Sequence, residues 1–409
     1  MDGQKPGGSD LLSAAVRFPE ARVRDKLPGI IQLRRTLHAI PELGLDLPQT
    51  AAVVEAELRA LGLRPHRVGS GMWVDIGERG PRVAIRADMD ALPLQELTGL
   101  PHASRFPGRM HACGHDAHTA CLLGAAGLLA EEAASLPFRA RLIFQAGEEG
   151  CFGARPLIEA GVLEGVAAIV GGHVGAVSCE LEPGQAGFLH GPMMASSDRF
   201  RGVFIGSGGH ASEPHRTPDP VTALAEFVLA LNGMRARELD QTRPAVVSVC
   251  SVRAGEAFNV IPERSEFKGT ARCIHRDVRA VLAERIGAIA QGIARMHGLE
   301  LDYQWIEGYP PVVNDVRAST AAAEAARDAL GAGRVTLLDR PSMGGEDFAF
   351  YLEKVPGCYW FLNTAAPERG IGQPNHSPRF EVDEQQLWAL TAVNLAAAER
   401  LAVEFGQED

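Results

Sequence analysis

Ten residues, Arg109-Met-His-Ala-Cys-Gly-His-Asp-Ala-His118, carry five side chains able to bind a metal: His111, Cys113, His115, Asp116 and His118. Thiolate and imidazole are the usual zinc donors, and Gly114 between Cys113 and His115 permits a tight turn. A hydrogen-bonded histidine cluster around one buried cysteine is the plainer reading of this stretch. Elsewhere, Glu148-Glu149 pairs two carboxylates. One can bind a metal while its neighbour takes a proton from water and returns it to a leaving group. A solvated loop is the ordinary alternative for such a pair. Asp88, with Asp90 two residues on, suits a direct ligand or an acceptor that orients one. Asp90 also reads as a turn residue. His376, and also His210, Asn259 and Arg272, carry no signal when each is taken alone.

The elements around these residues give them a common address. Apolar strands are expected at Val83–Ala87, Arg141–Gln145 and Ala167–Val170, separated by helices at Thr119–Ala134 and Ala154–Ala160. The strands run out into Asp88, Glu148-Glu149 and Gly171-Gly172-His173. In an open, mostly parallel α/β sheet, ligands bind beyond the carboxyl ends of the strands. Asp88, the 109–118 cluster, the Glu pair and His173 are therefore expected at one sheet edge. Helices at Leu27–Leu37 and Thr50–Leu63 precede this part.

From about Ser196 the pattern changes. Strands at Phe200–Ile205, Val246–Val252, Phe267–Ile274 and Leu299–Ile306 alternate with helices at Asp219–Arg237 and Val278–Met296. That βαββαβ order is ferredoxin-like. It divides the chain into 1–192 with 310–409, and an insert at 193–309. After the insert a helix is expected at Ala318–Leu330 and a strand at Val335–Leu338. A further helix opens at Gly345-Glu-Asp-Phe348, before a strand at Tyr359–Leu362. An amphipathic closing helix spans Glu384–Phe405.

With 409 residues the chain exceeds one ordinary hydrophobic core. Its net charge of −11 and the lack of a Lys/Arg run argue against nucleic acid. No apolar run reaches the ~18 residues of a membrane span. Met1–Asp10 shows no signal pattern. Seven scattered cysteines do not suggest a disulfide framework, so a cytoplasmic protein is expected. A closed structural zinc site fits poorly, because the candidates spread from 113 to 376 and include acids. A zinc deaminase lacks its Pro-Cys-x-x-Cys partner motif.

Arg86-Ala-Asp-Met-Asp-Ala-Leu-Pro93, Met110–His118, Gln145-Ala-Gly-Glu-Glu149, Gly208-Gly-His-Ala211, Asn259-Val-Ile-Pro262 and His376-Ser-Pro378 stand in one order. Together they resemble the metal-dependent amidohydrolases of the aminoacylase and carboxypeptidase G superfamily. The branch is the one with hippurate hydrolase, N-acetyldiaminopimelate deacetylase and plant auxin-conjugate hydrolases, and the likeness runs from about Leu33 to the closing helix. It implies a zinc-peptidase-like catalytic unit with an inserted ferredoxin-like lid that also forms a homodimer. It further implies two divalent metals on Cys113, His115, Glu149, His173 and His376, with the Cys113 thiolate bridging. Zinc is expected first, with manganese, nickel or cobalt also compatible with the donors. Glu148 takes the place of the general base and Asp88 that of an orienting acid. His210 matches a lid residue that reaches the neighbouring subunit's site, while Asn259 and Arg272 match substrate contacts. The implied reaction is hydrolysis of an N-acyl amino acid. A di-metal dipeptidase or carboxypeptidase is the near alternative, and a non-catalytic metal or ligand binder the distant one. One departure is visible: many relatives carry Gln-Pro-Ala before the Glu pair, where this chain has Gln145-Ala146-Gly147. A looser loop is expected from it.

Overall fold

The computed structural model describes residues 17–406, so the reading of Met1–Asp10 falls outside the described residues. Among the described residues there are sixteen strands. β1 (His66–Val68), β2 (Gly71–Ile76), β3 (Arg82–Asp88), β4 (Arg139–Gln145), β5 (Val166–Val174) and β6 (Ala186–Phe188) come first. Next are β7 (Gly191–Met194), β8 (Ser197–Ile205), β9 (Gly209–His210), β10 (Ala245–Ala254), β11 (Val260–Ile261), β12 (Arg264–Cys273) and β13 (Glu300–Tyr309). β14 (Val312–Asn314), β15 (Val335–Leu337) and β16 (Gly357–Leu362) close the series.

Eight of them form one mixed sheet in the order β1-β2-β4-β3-β5-β16-β6-β15. Its centre is parallel, β4 to β3, β3 to β5 and β5 to β16, so the carboxyl ends of these strands share one edge. Their apolar runs are buried on both faces, as a covered parallel sheet requires. The helix His115–Glu131 is buried on nearly every side because it lies between the sheet and the helices Glu20–His38 and Leu387–Phe405. That surrounding explains its Ala/Leu composition, with no polar stripe left to face water.

Four further strands pair antiparallel in the order β10-β12-β8-β13. The helices Pro220–Arg237 and Arg276–Met296 pack on this second sheet, over a core of its own that includes Phe200, Phe204, Phe227, Phe267 and Leu282. β7 and β14 pair side by side where the chain leaves the large sheet and returns to it. The α/β architecture with a mostly parallel sheet thus agrees with the reading from strand order.

Three expectations need correction. The helix after Gly114 begins at His115 itself, so this residue is the first helical position and not part of the connection. The helix expected to open at Gly345–Phe348 does follow, but it is short. Residues 349–352 make a single turn, and Glu346 and Asp347 turn inward to a buried arginine. The closing helix runs Leu387–Phe405 and is buried all round from Leu387 to Leu395, so its first half passes through the core and only its second half is amphipathic.

Candidate active site

Asp88 ends β3 and is fully buried. Its carboxylate accepts from Arg86 Nη1 at 2.6 Å and from His118 Nδ1 at 2.6 Å. The Val174 backbone N–H donates to the other nitrogen of His118, Nε2, at 2.9 Å. A ring nitrogen that accepts carries no proton, so the His118 proton sits on Nδ1, toward Asp88. Both nitrogens are engaged, and His118 has no lone pair left for a metal. The same reasoning gives His173 the opposite role. Its Nδ1 lies 2.8 Å from the Val174 carbonyl, which can only accept, so Nδ1 holds the proton. Nε2 is left with a free lone pair, 3.4 Å from Cys113 Sγ. A carbonyl that fixes the tautomer behind the free nitrogen is a common support for a metal-binding histidine.

Cys113 and His115 flank Gly114, whose φ of 85° turns the chain into the helix. Donor atoms of Cys113, His115 and His173 lie within 4.8 Å of one another, as do those of Cys113, Glu149 and His376, and those of His115, Glu148 and Glu149. Cys113 belongs to the first two groups, His115 to the first and third, and Glu149 to the second and third. Both ring nitrogens of His115 are buried without a hydrogen bond, with Asp88 3.6 Å from Nε2 and Asp90 3.4 Å from Nδ1. An unpaired buried polar group costs about 1–3 kcal/mol, and a bound cation removes that cost. His376 adopts φ 69°, and Phe152, beside the Glu pair, φ 60°. Among the described residues these are the non-glycine positions in the left-handed region, and both line the same cleft. The His376 N–H donates to the Ala112 carbonyl at 2.7 Å, and its Nε2 lies 3.2 Å from Glu149 Oε1. Strain of this kind persists where the surroundings impose it, as at binding sites. The donor set of thiol, imidazoles and carboxylate fits a pair of divalent metals.

The Glu148-Glu149 loop is held from several directions. Asp90 accepts the Glu148 and Glu149 N–H groups, each at 2.9 Å. Tyr309, from the end of β13, receives the Gly150 N–H at 2.6 Å and donates to the Glu148 carbonyl. Gly147 takes φ 76°, so the glycine in Ala146-Gly147 meets a demand of the turn and does not leave the loop slack. Glu148 itself is buried. Burial first, then the carboxylates of Glu346, Glu149 and Asp347, push its carboxyl well above the ordinary range, with His115 opposing. Cations bound to its neighbours would act in the opposite direction. Behind it, Arg86 is buried between Asp88, Glu346 at 3.1 Å and Asp347 at 2.9 Å. Burial pushes Asp347 up to about 7, against the pull of Arg86. The cleft in front has a volume of about 600 Å³, with Arg199, Arg272 and Ile306 of the second sheet on its far wall.

A family model described as Peptidase family M20/M25/M40 matches residues 84–400. The chain belongs to this family. An N-acetylcysteine deacetylase of Bacillus subtilis is 40% identical over 88% of this chain and 93% of its own. A thermostable carboxypeptidase of Saccharolobus solfataricus is 37% identical over 89% of this chain and 93% of its own. A solved Bacillus subtilis structure, described as a dinuclear metal binding peptidase from the M20 family, superposes with a TM-score of 0.78 at 37% identity. It covers 93% of this chain and 99% of its own.

Within this M20 chain, Asp88, Cys113, His115, Glu148, Glu149, His173 and His376 meet at one place, and Arg272 faces them across the cleft. His210 and Asn259 do not join them. Both are exposed, beside one another where β9 pairs with β11, and neither lines the cleft of its own chain. His111 is buried with both ring nitrogens unpartnered, and burial lowers its pKa to about 3. Asp116 binds Arg34 at 2.8 Å and His38 at 2.7 Å, away from the ligand cluster. Arg86, Glu346, Asp347 and Tyr309 were not singled out from sequence. A signal existed for the acid pair: Gly345-Glu346-Asp347 repeats the form of Gly147-Glu148-Glu149, two acids after a glycine.

Proposed function

We propose that this M20 enzyme hydrolyses the amide bond of N-acyl amino acids, releasing a carboxylate and a free amino acid. The observation that carries the reading is the position of Glu148. It is buried beside His115 and Glu149 at the inner end of a cleft that an arginine faces. Cys113, His115, Glu149, His173 and His376 would hold two divalent metals, zinc being favoured by the thiolate and imidazoles. When bound, such ions polarise a carbonyl and lower the pKa of water toward neutrality. Glu148 takes the proton from water as its oxygen attacks the acyl carbon, and delivers that proton to the amine nitrogen as the C–N bond breaks. Asp88 orients the metal-facing groups through His118 and Arg86. Arg272 is suited to grip the α-carboxylate with two parallel N–H donors.

The division into 1–192 with 310–409, and 193–309, is part of the same proposal. It is supported by the two separate sheets and their separate cores. The exposed His210 and Asn259 fit a homodimer in which the lid of one subunit completes the other's cleft. The free cysteines fit the reducing cytoplasm. Among the described residues no helix is long and apolar enough to cross a membrane. A second reading, a carboxypeptidase acting on peptides, is favoured by the name of the Saccharolobus relative.

Metal-depleted protein should be inactive on N-acetyl and N-benzoyl amino acids and regain activity with zinc, manganese or cobalt. Faster release from dipeptides than from every N-acyl substrate would select the second reading. Glu148→Gln should keep its metals by elemental analysis while kcat falls about 10²–10⁴-fold. Near-normal turnover would remove Glu148 from the mechanism.

A further inference from the structure

Arg199 on β8 and Arg272 on β12 both line the cleft. Thr270 of β12 pairs with Arg199 across the ladder, and Arg272 lies two residues further along the same strand. Side chains alternate along a strand, so Arg199, Thr270 and Arg272 share one face of the sheet. Diagonal neighbours of this kind are about 7–8 Å apart, within reach of long side chains. Arg199 extends over the catalytic loop, its Nη2 3.6 Å from the point a Cβ on Gly150 would occupy. Arg272 donates from Nη1 to the Met343 carbonyl at 3.1 Å. Burial, and next the charge of Arg199, push the Arg272 guanidinium down.

Neither guanidinium forms an ion pair among the described residues. The carboxylate most able to help, Asp198, is bound by Arg279 at 2.9 and 2.7 Å. Glu307, also on the cleft wall, is 3.2 Å from the same Arg279. Two neighbouring cations without anions repel, in a chain whose net charge is −11. One substrate carboxylate answers one of them.

We propose that Arg199 and Arg272 form a two-guanidinium subsite selecting N-acyl amino acids that carry two carboxylates, one for each arginine. The proposal rests on the amide-hydrolysis reading for its substrate class. The second carboxylate comes from the amino-acid side chain or from the acyl group, and Arg199 is the residue that reads it.

Two substrate pairs separate these sources: N-acetylglutamate against N-acetylglutamine, and N-succinylleucine against N-butyrylleucine. The metal-loaded protein should favour the acid by at least tenfold in kcat/KM in one pair. Arg199→Gln should collapse that ratio toward one, mainly through KM, and Arg199→Lys should restore part of it. No preference in either pair, or a ratio that Arg199→Gln leaves unchanged, overturns the proposal. Calorimetry with glutarate and butyrate gives a readout independent of turnover. If no N-acyl amino acid is cleaved, the hydrolase reading fails. In that case tighter glutarate binding, lost in Arg199→Gln, still supports the subsite, and equal binding removes it.

Discussion

At the scale of single residues, the site separates candidate ligands from the groups that hold them in place. His118 and His173 show the distinction, since one Val174 backbone N–H and one Val174 carbonyl fix opposite tautomers in two neighbouring rings. Asp90 does comparable work for the carboxylate pair. It takes two backbone N–H groups that would otherwise be buried without acceptors. Leaving such donors unpaired costs about 1–3 kcal/mol each. Asp90→Ala should therefore lower the thermal midpoint and weaken metal retention, measured by unfolding of metal-loaded and metal-free protein. An unchanged midpoint in both forms would show that water replaces the carboxylate at no cost.

At the scale of elements, the decisive feature is how strand and helix ends are joined. Gly114 turns the chain between two candidate ligands with φ 85°, and a Cβ there would lie 2.6 Å from Val174 Cγ2. A left-handed conformation costs about 1–2 kcal/mol for a residue with a Cβ. Overpacking adds about 1–3 kcal/mol where the neighbours are fixed. Val174 is held in β5 and cannot yield freely. Gly114→Ala should displace Cys113 and His115 relative to one another, so that purified protein holds fewer metals by elemental analysis. Full occupancy with an unaltered melting temperature would contradict this account of the turn.

At the scale of the whole molecule, a buried polar network ties the first helix to segments far along the chain. Arg34 binds Asp116 at 2.8 Å and Glu384 at 3.2 Å, and His38 links Asp116 at 2.7 Å to Glu96 at 3.4 Å. Burial by itself would raise the Glu96 carboxyl, but hydrogen bonds from His38, Thr98 and Ser104 prevail and hold it at about 2. A carboxyl held below its unfolded value stabilises the fold above that value, near 4.5, and the stabilisation is lost as pH falls toward about 2. Glu96→Gln should thus be less stable than the parent at pH 7, with the difference narrowing between about pH 4.5 and 2. Denaturant unfolding across that range measures it, and a constant difference would exclude a role for the Glu96 charge.

Much of the order of elements, and most of the candidate metal ligands, can be read from local sequence. Apolar strands ending in Asp88, Glu148-Glu149 and His173 imply a shared sheet edge, because parallel strands place their carboxyl ends together. Cys113-Gly-His115 is legible because the spacing is local. The supporting groups were not legible. Arg86, Glu346, Asp347 and Tyr309 gain their meaning from contacts across as many as 261 positions. No local periodicity records such a contact. Tertiary structure also decided which histidines are free to bind. His111, His115, His118 and His173 are alike as residue types, and only the backbone groups and carboxylates packed around each ring set where its protons lie. The same holds for the opening stretch: of five possible donors in ten residues, Asp116 and His118 are engaged by other side chains and backbone, while Cys113 and His115 lie among the grouped donor atoms.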